Sequence, residues 1–247
     1  MIRIDGVSKS FLEGVRRQRV QALSELSLAI GEGEVFGFLG PNGAGKSTTI
    51  KLLLNLIRPD CGTATIAGGD VADPAVRRRI GFLPENPYFY DHLSADELLW
   101  FGGKTCGMTP SAIDARSELL LHRVDLLAAR GRSLRTYSKG MLQRAGLALA
   151  LIHDPDVVIL DEPMSGLDPV GRRLVVDLIL ELKSQGKTVF FSSHILSDIE
   201  RICDRVGIIA GGRLRLCGAL SELLTEAGSL ESVFLDVVRK ADGGEVC

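Results

Sequence analysis

Hydrophobic and polar positions alternate from the first residues, "MIRIDGVSKSF", to about Ile30, broken only by the charged stretch "EGVRRQR". A period of two predicts short strands joined by a solvated hairpin tip, hence a small antiparallel sheet. Downstream the period changes. "EVFGFLG" is an apolar run of buried-strand length, and "KSTTIKLLLNLI" carries apolar residues at helical spacing until Arg58-Pro59 ends it. A second alternation predicts a strand at "DVVILDE", a helix at "GRRLVVDLILELKSQG", a strand at "TVFFSSH", a helix at "ILSDIERIC" and a strand at "RVGIIAGG". Strands separated by helices of this length predict an α/β fold with a parallel, doubly wound sheet. Between the halves, from Pro84 to about Thr136, the patterns are helical without a convincing strand, which predicts an inserted helical subdomain. One large domain is expected over residues 1–228 with that insert at about 84–136. The tail, 229–247, holds an amphipathic segment, "SLESVFLDVVRK", able to dock as a last helix, and ends in "ADGGEVC", read as disordered.

Composition narrows the function classes. A net charge of −2 with 24% charged residues supplies no global basic field, so nucleic acid is not expected as a partner. The longest apolar runs, "LALALI" and "VVIL", fall far short of the roughly 20 residues that span a bilayer, and the N-terminus lacks the apolar core of a secretion signal. A cytosolic location is the expectation. Cys61, Cys106, Cys203, Cys217 and Cys247 are odd in number, widely spaced and without a C-x-x-C pair, so they read as reduced thiols rather than a zinc site or disulfide frame.

The chemistry is concentrated in a few short stretches. "GPNGAGKS" (Gly40, Pro41, Asn42, Gly43, Ala44, Gly45, Lys46, Ser47), followed by Thr48, fits G-x-x-x-x-G-K-[ST] at every fixed position and lies between a predicted strand and a predicted helix. Glycines there let backbone N–H groups wrap a phosphate. Lys46 would reach the β- and γ-phosphates, Ser47 would ligate Mg²⁺, and the helix N-terminus adds partial positive charge. A P-loop nucleoside-triphosphatase fold is therefore expected. "VVILDEP" ends its strand in two adjacent carboxylates, which point to opposite sides and so hold different jobs. Asp161 is expected near the metal and Glu162 at the attacking water. His194, at a third strand end, is a candidate γ-phosphate contact, whereas His92, His122 and His153 read as packed or surface residues.

These residues together resemble the ATP-binding-cassette (ABC) family of transporter ATPases. Walker A (Gly40 to Ser47), "YSKGMLQR" at the signature position, Walker B (Val157 to Glu162), "SGLDP" as the D-loop with Asp168, and His194 as the switch histidine follow one another in the family's order. The resemblance implies ATP and Mg²⁺ as cofactors and head-to-tail pairing of two cassettes, a homodimer or a paired cassette. Each ATP would then lie between the Walker A of one subunit and the signature (Ser138, Lys139, Gly140, Met141) of the other. Lys139 and Met141 depart from the usual LSGGQ, and Glu85, in "GFLPENP", stands where the Q-loop glutamine would approach the metal. Phe11 falls at the position of the adenine-stacking aromatic, and packing alone is the alternative reading of that ring.

Overall wording ("FLPEN", "YSKGM", "SSHIL", "CDRV") is similar to the cassettes of ABC-2-type exporters, which implies separately encoded transmembrane permease subunits and a peripheral place on the cytoplasmic face of the membrane. A soluble ABC ATPase of the DNA-repair or translation type is the alternative. It is disfavoured by the short insert without sustained heptads and by the single cassette. Aromatic residues concentrate between Phe82 and Phe101, the stretch expected to meet the membrane subunit, with ordinary subdomain core as the competing reading.

Overall fold

A computed structural model describes residues 1–14 and 18–242; the centre of the "EGVRRQR" tip and the last five residues of the expected disordered tail lie outside the described residues. The chain divides into two compact units, Met1–Arg77 with Phe190–Cys247 and Arg78–Val189.

The first unit opens with the expected hairpin. Strands β1 (Ile2–Glu13) and β2 (Gln18–Ile30) pair antiparallel, in a register from Ile2 opposite Ile30 to Phe11 opposite Val20. Alternation puts Ile2, Ile4, Val7, Leu26, Leu28 and Ile30 into the core. β3 (Val35–Leu39) is buried at every residue and runs through the phosphate-loop sequence into α1 (Lys46–Leu53). β4 (Cys61–Ile66) and β5 (Gly69–Asp70) extend the hairpin to a four-stranded sheet, order β2-β1-β4-β5, before the short α2 (Pro74–Arg77).

The second unit begins with β6 (Ile80–Leu83) and continues into α3 (Ala95–Thr105) and α4 (Pro110–Arg123). α3 starts at a capping box in which the Ser94 hydroxyl accepts from the Glu97 N–H and the Glu97 carboxylate accepts from the Ser94 N–H. α4 is capped by Thr109 with Pro110 in its first turn. Two 3₁₀ turns, Leu127–Ala129 and Leu134–Thr136, lead to α5 (Lys139–Leu151), β7 (Val157–Asp161), α6 (Pro169–Ser184) and the start of β8 (Thr188–Ser192). The helical stretch expected at 84–136 packs here with α5, which touches β6, α3 and α4.

The chain re-enters the first unit within β8, where Phe190 stacks against Phe36 and contacts Phe38 of β3. α7 (Leu196–Ile202), β9 (Arg205–Ala210), β10 (Arg213–Ala219), α8 (Leu220–Ala227) and α9 (Leu230–Asp242) complete it. β9 is parallel to β3 and antiparallel to β10. α9 docks through buried Leu230 and Val233, and its first turn is held by the Glu200 carboxylate accepting from the Leu230 N–H.

Candidate functional site

In the first unit β3 delivers Gly40 against the Ile209 backbone, where no Cβ could fit. The loop then turns tightly, with the Ala44 N–H donating to the Pro41 carbonyl (3.1 Å) and positive φ at Gly43 (79°) and Gly45 (114°). A Cβ at Gly45 would lie 2.7 Å from Leu23 Cδ2 and 2.9 Å from the Ala22 carbonyl oxygen, so only glycine serves there. Gly45 is also the N-cap of α1, and no side chain caps that helix. Backbone donors at an uncapped N-terminus preceded by left-handed glycines form an anion cradle, and the residues present fit a phosphate. Lys46 is nine-tenths buried, and its Nζ donates to the Gly40 (2.7 Å) and Pro41 (3.2 Å) carbonyls, which holds the ammonium over the loop. Asn42, Gly43 and Ser47 are exposed; Thr48 is half-buried.

Phe11 is half-buried on β1, with Lys9 Nζ 5.6 Å from its ring centroid. Asp60 fixes that lysine at 2.9 Å and also accepts from the Ser10 hydroxyl and N–H. The Ser10 hydroxyl first, then Lys9, hold the Asp60 carboxyl well below the ordinary carboxylate range. His194 is exposed just beyond β8, where the Ser193 hydroxyl accepts from the Ile195 N–H.

The second unit gathers the remaining sequence-predicted residues. β6 and β7 are parallel with Leu83 opposite Leu160, so Glu85 and the Asp161–Glu162 pair leave the sheet at the same end. Asp161 and Glu162 are each nine-tenths buried, whereas Glu85 is exposed. Glu162 has φ 50°, a left-handed conformation costing a non-glycine residue on the order of 1 kcal/mol or more. Its carbonyl accepts from the Ser165 N–H (3.0 Å), which closes the turn into the D-loop. Asp168 caps α6 by accepting from the Gly171 N–H at 2.8 Å.

Helix α5 ties these parts together. Ser138 is its N-cap, and the Ser138 hydroxyl accepts from the Met141 N–H at 3.2 Å. The Lys139 stem lies over the D-loop: its Cδ and Cε sit 2.9 Å from where a Cβ on Gly166 (φ 72°) would be, and Gly140 faces Leu167. Gln143 is fully buried and donates to the Pro163 carbonyl (3.3 Å), one residue past Glu162. Arg144 donates to the Val124 and Asp125 carbonyls. Gly146 admits the segment after β6, since a Cβ there would be 2.7 Å from Leu83 Cδ1 and 3.3 Å from Phe89 Cζ and Pro87 Cβ. The expected aromatic cluster therefore divides. Phe89 turns inward onto α5, while Tyr88 (99% exposed), Tyr90 (70%), Trp100 and Phe101 face outward. Composition shows the concentration of rings; only extended-chain alternation around Phe89 signals their opposite directions. Among the described residues no helix is long and apolar enough to cross a membrane.

Comparison with known proteins agrees with this arrangement. The family model described as "ABC transporter" matches residues 23–165. An uncharacterized ABC transporter ATP-binding protein of Synechocystis sp. is 50% identical over 224 residues, 88% of this chain and 62% of its own length. The chain thus spans about 62% of the length of the first curated relatives it matches. The solved structure of an ATP binding subunit of an ABC transporter superposes with a TM-score of 0.85 at 30% identity, covering 96% of this chain and 99% of that one. A dimeric post-hydrolysis ATP-binding cassette bound to ADP and Pi shares the fold, with a TM-score of 0.82 at 24% identity over 89% of this chain and 99% of that one. With a P-loop on β3–α1, paired acids at the end of β7 and a capped signature helix, this chain belongs to the ABC transporter ATP-binding family.

Proposed function

We propose that the chain binds and hydrolyses ATP as the energy-coupling subunit of an ABC-2-type exporter, at the cytoplasmic face of a membrane beneath separately encoded permease subunits. The observation that carries this reading is the uncapped N-terminus of α1 behind the Gly40–Gly45 turn, a backbone cradle that a phosphate completes. Residues Gly40 to Thr48 hold the phosphates, Lys46 sets its charge against them, and Phe11 offers a ring face to adenine. Glu162 takes the proton of the attacking water, and His194 contacts the γ-phosphate. Ser47, Glu85 and Asp161 are oxygen donors, the ligand type Mg²⁺ prefers. Among the described residues no group of three acidic, His or Cys side chains forms a metal site by itself, so the phosphates would complete the coordination. When bound, Mg²⁺ supplies neutralisation of the phosphate oxygens.

Ser138, Lys139, Gly140 and Met141 serve the ATP of a second cassette, with Asp168 in the D-loop beside them. The dimeric cassette found in the comparison supports such pairing. The outward Tyr88, Tyr90, Trp100 and Phe101 form the face offered to the permease, since exposed rings of this kind anchor interfaces. Mixing tests the pairing. Ser138→Arg and Lys46→Ala subunits should each lack ATPase activity alone, and heterodimers should regain one intact composite site. Absence of activity above either parent, with heterodimers demonstrated by native mass spectrometry, removes the trans role of Ser138.

A further inference from the structure

Gln143, in the second turn of α5, is 1% exposed and faces the segment that follows β7. Its Nε2 donates at 3.3 Å to the carbonyl of Pro163, itself a buried residue. A flipped amide would set two oxygens face to face, so the acceptor fixes the orientation. In that orientation Oε1 is buried with no hydrogen-bond partner among the described residues. A methionine of similar length would leave the Pro163 carbonyl without its donor but would also remove the unsatisfied oxygen, one such atom for another. Stability alone therefore does not call for an amide at this position.

What the amide holds is the turn of Glu162. That residue keeps a left-handed backbone, φ 50°, and strain of this kind persists only where the surroundings over-determine it. Its own carbonyl accepts from the Ser165 N–H, and the next carbonyl along the chain is held from outside the turn by Gln143. Two more contacts come from the same face of α5, the Lys139 stem on Gly166 and Gly140 beside Leu167. Those are contacts of alkyl groups, whereas Gln143 supplies a directional bond. We infer that Gln143 is a positioning residue for hydrolysis: through the Pro163 carbonyl it sets the direction in which the Glu162 carboxylate meets the attacking water. The inference rests on the reading of Glu162 as general base. A misplaced base slows the chemical step and leaves nucleotide affinity, set at the phosphate loop, as it was.

Gln143→Met in the full chain separates these properties. At a protein concentration where turnover per chain no longer rises, kcat for ATP should fall about tenfold, KM should stay within about twofold, and the urea midpoint should stay near the parent's. The nucleotide-free chain gives a second readout. Exchange of the Ser165 amide, followed by NMR, should speed up at least about fivefold while that of Ala148, inside α5, keeps its rate. Gln143→Glu has the parental shape but donates only as the acid. Burial raises a carboxyl pKa, so the kcat of this variant relative to the parent should recover as pH falls from about 8 to about 6. Parental kcat in Gln143→Met, exchange at Ser165 that is unchanged or matched at Ala148, or a Gln143→Glu ratio that stays low at about pH 6 would overturn the proposal. Failure of the base reading is told apart from these outcomes, because it shows as near-parental turnover in Glu162→Gln and leaves the exchange rates untouched.

Discussion

The molecule has two helix N-termini at sequences suited to phosphate, and they are finished differently. α1 begins at Gly45 with no side-chain cap, and there both a φ of 114° and the closeness of Leu23 Cδ2 (2.7 Å) exclude a Cβ. α5 begins at Ser138, whose hydroxyl already satisfies the Met141 N–H, with the Lys139 stem folded on Gly166. The first terminus has no side chain on its N–H groups; the second has one of them, that of Met141, already satisfied from within the chain. A chain gains from this asymmetry if it carries its own nucleotide at α1 and meets its partner's at α5.

The largest expected effect separates chemistry from both cradles. Glu162→Gln should keep ATP binding but slow hydrolysis at least about a hundredfold, as for a lost general base. Near wild-type phosphate release in a single-turnover assay would remove Glu162 from that role. The next sharpens the contrast between the glycines. Gly45→Ala puts a Cβ 2.7 Å from Leu23 Cδ2 at φ 114° and should cost on the order of 1–3 kcal/mol in urea unfolding, with loss of ATP binding. Gly140→Ala has Leu167 Cδ2, at 3.3 Å, as its nearest contact and gains helix propensity, so its stability should stay within about 1 kcal/mol of the parent. Equal losses would erase the difference between the two termini.

Ser138→Ala should cost about 1 kcal/mol through the lost cap, measurable in the isolated chain without nucleotide. An unchanged unfolding midpoint would mean that the Met141 N–H has no need of the hydroxyl. The smallest effect is acidic and belongs to the second unit. Burial pushes the His153 pKa down, opposed by a hydrogen bond to the Ile80 carbonyl and by Asp154, and aided by Arg116 and Lys187. The unfolded chain therefore binds the proton more readily, and this contribution is full above about pH 6.5 and is lost as pH falls through the folded pKa. His153→Gln should flatten the fall in melting temperature between pH 7.5 and 5.5. Asp60, in the first unit, is lowered from the carboxylate range, so its contribution is present above about pH 4 and lost only in stronger acid. Acid should thus reach the second unit first.

What was legible in the sequence was local. A strand, a glycine turn and a helix follow one another in "EVFGFLGPNGAGKSTTIKLL", and backbone rules act over just that range. The alternation of "RLRLCGA", which forms β10, is a strand signal, whereas β6, four residues long, is too short to give one. Contacts that depend on distant approach left no local trace. Lys139 over Gly166, Gly146 against Phe89, and Gln143 on Pro163 are set by how α5 packs. Ser138 and Asp168 gave their family roles to the sequence reading, but not their second duty as helix caps.

The capped start of α5 has a kinetic consequence. Since on the proposed pairing no chain supplies both halves of a site to its own nucleotide, the turnover of isolated cassettes should obey a dilution law. Activity per chain should fall in proportion to concentration once pairs dissociate, and so rise as the square of concentration in total rate. A permease that holds two cassettes side by side would abolish that dependence by raising their effective concentration. The membrane partner would then act on rate before any movement is transmitted, simply by ending the search of one chain for another.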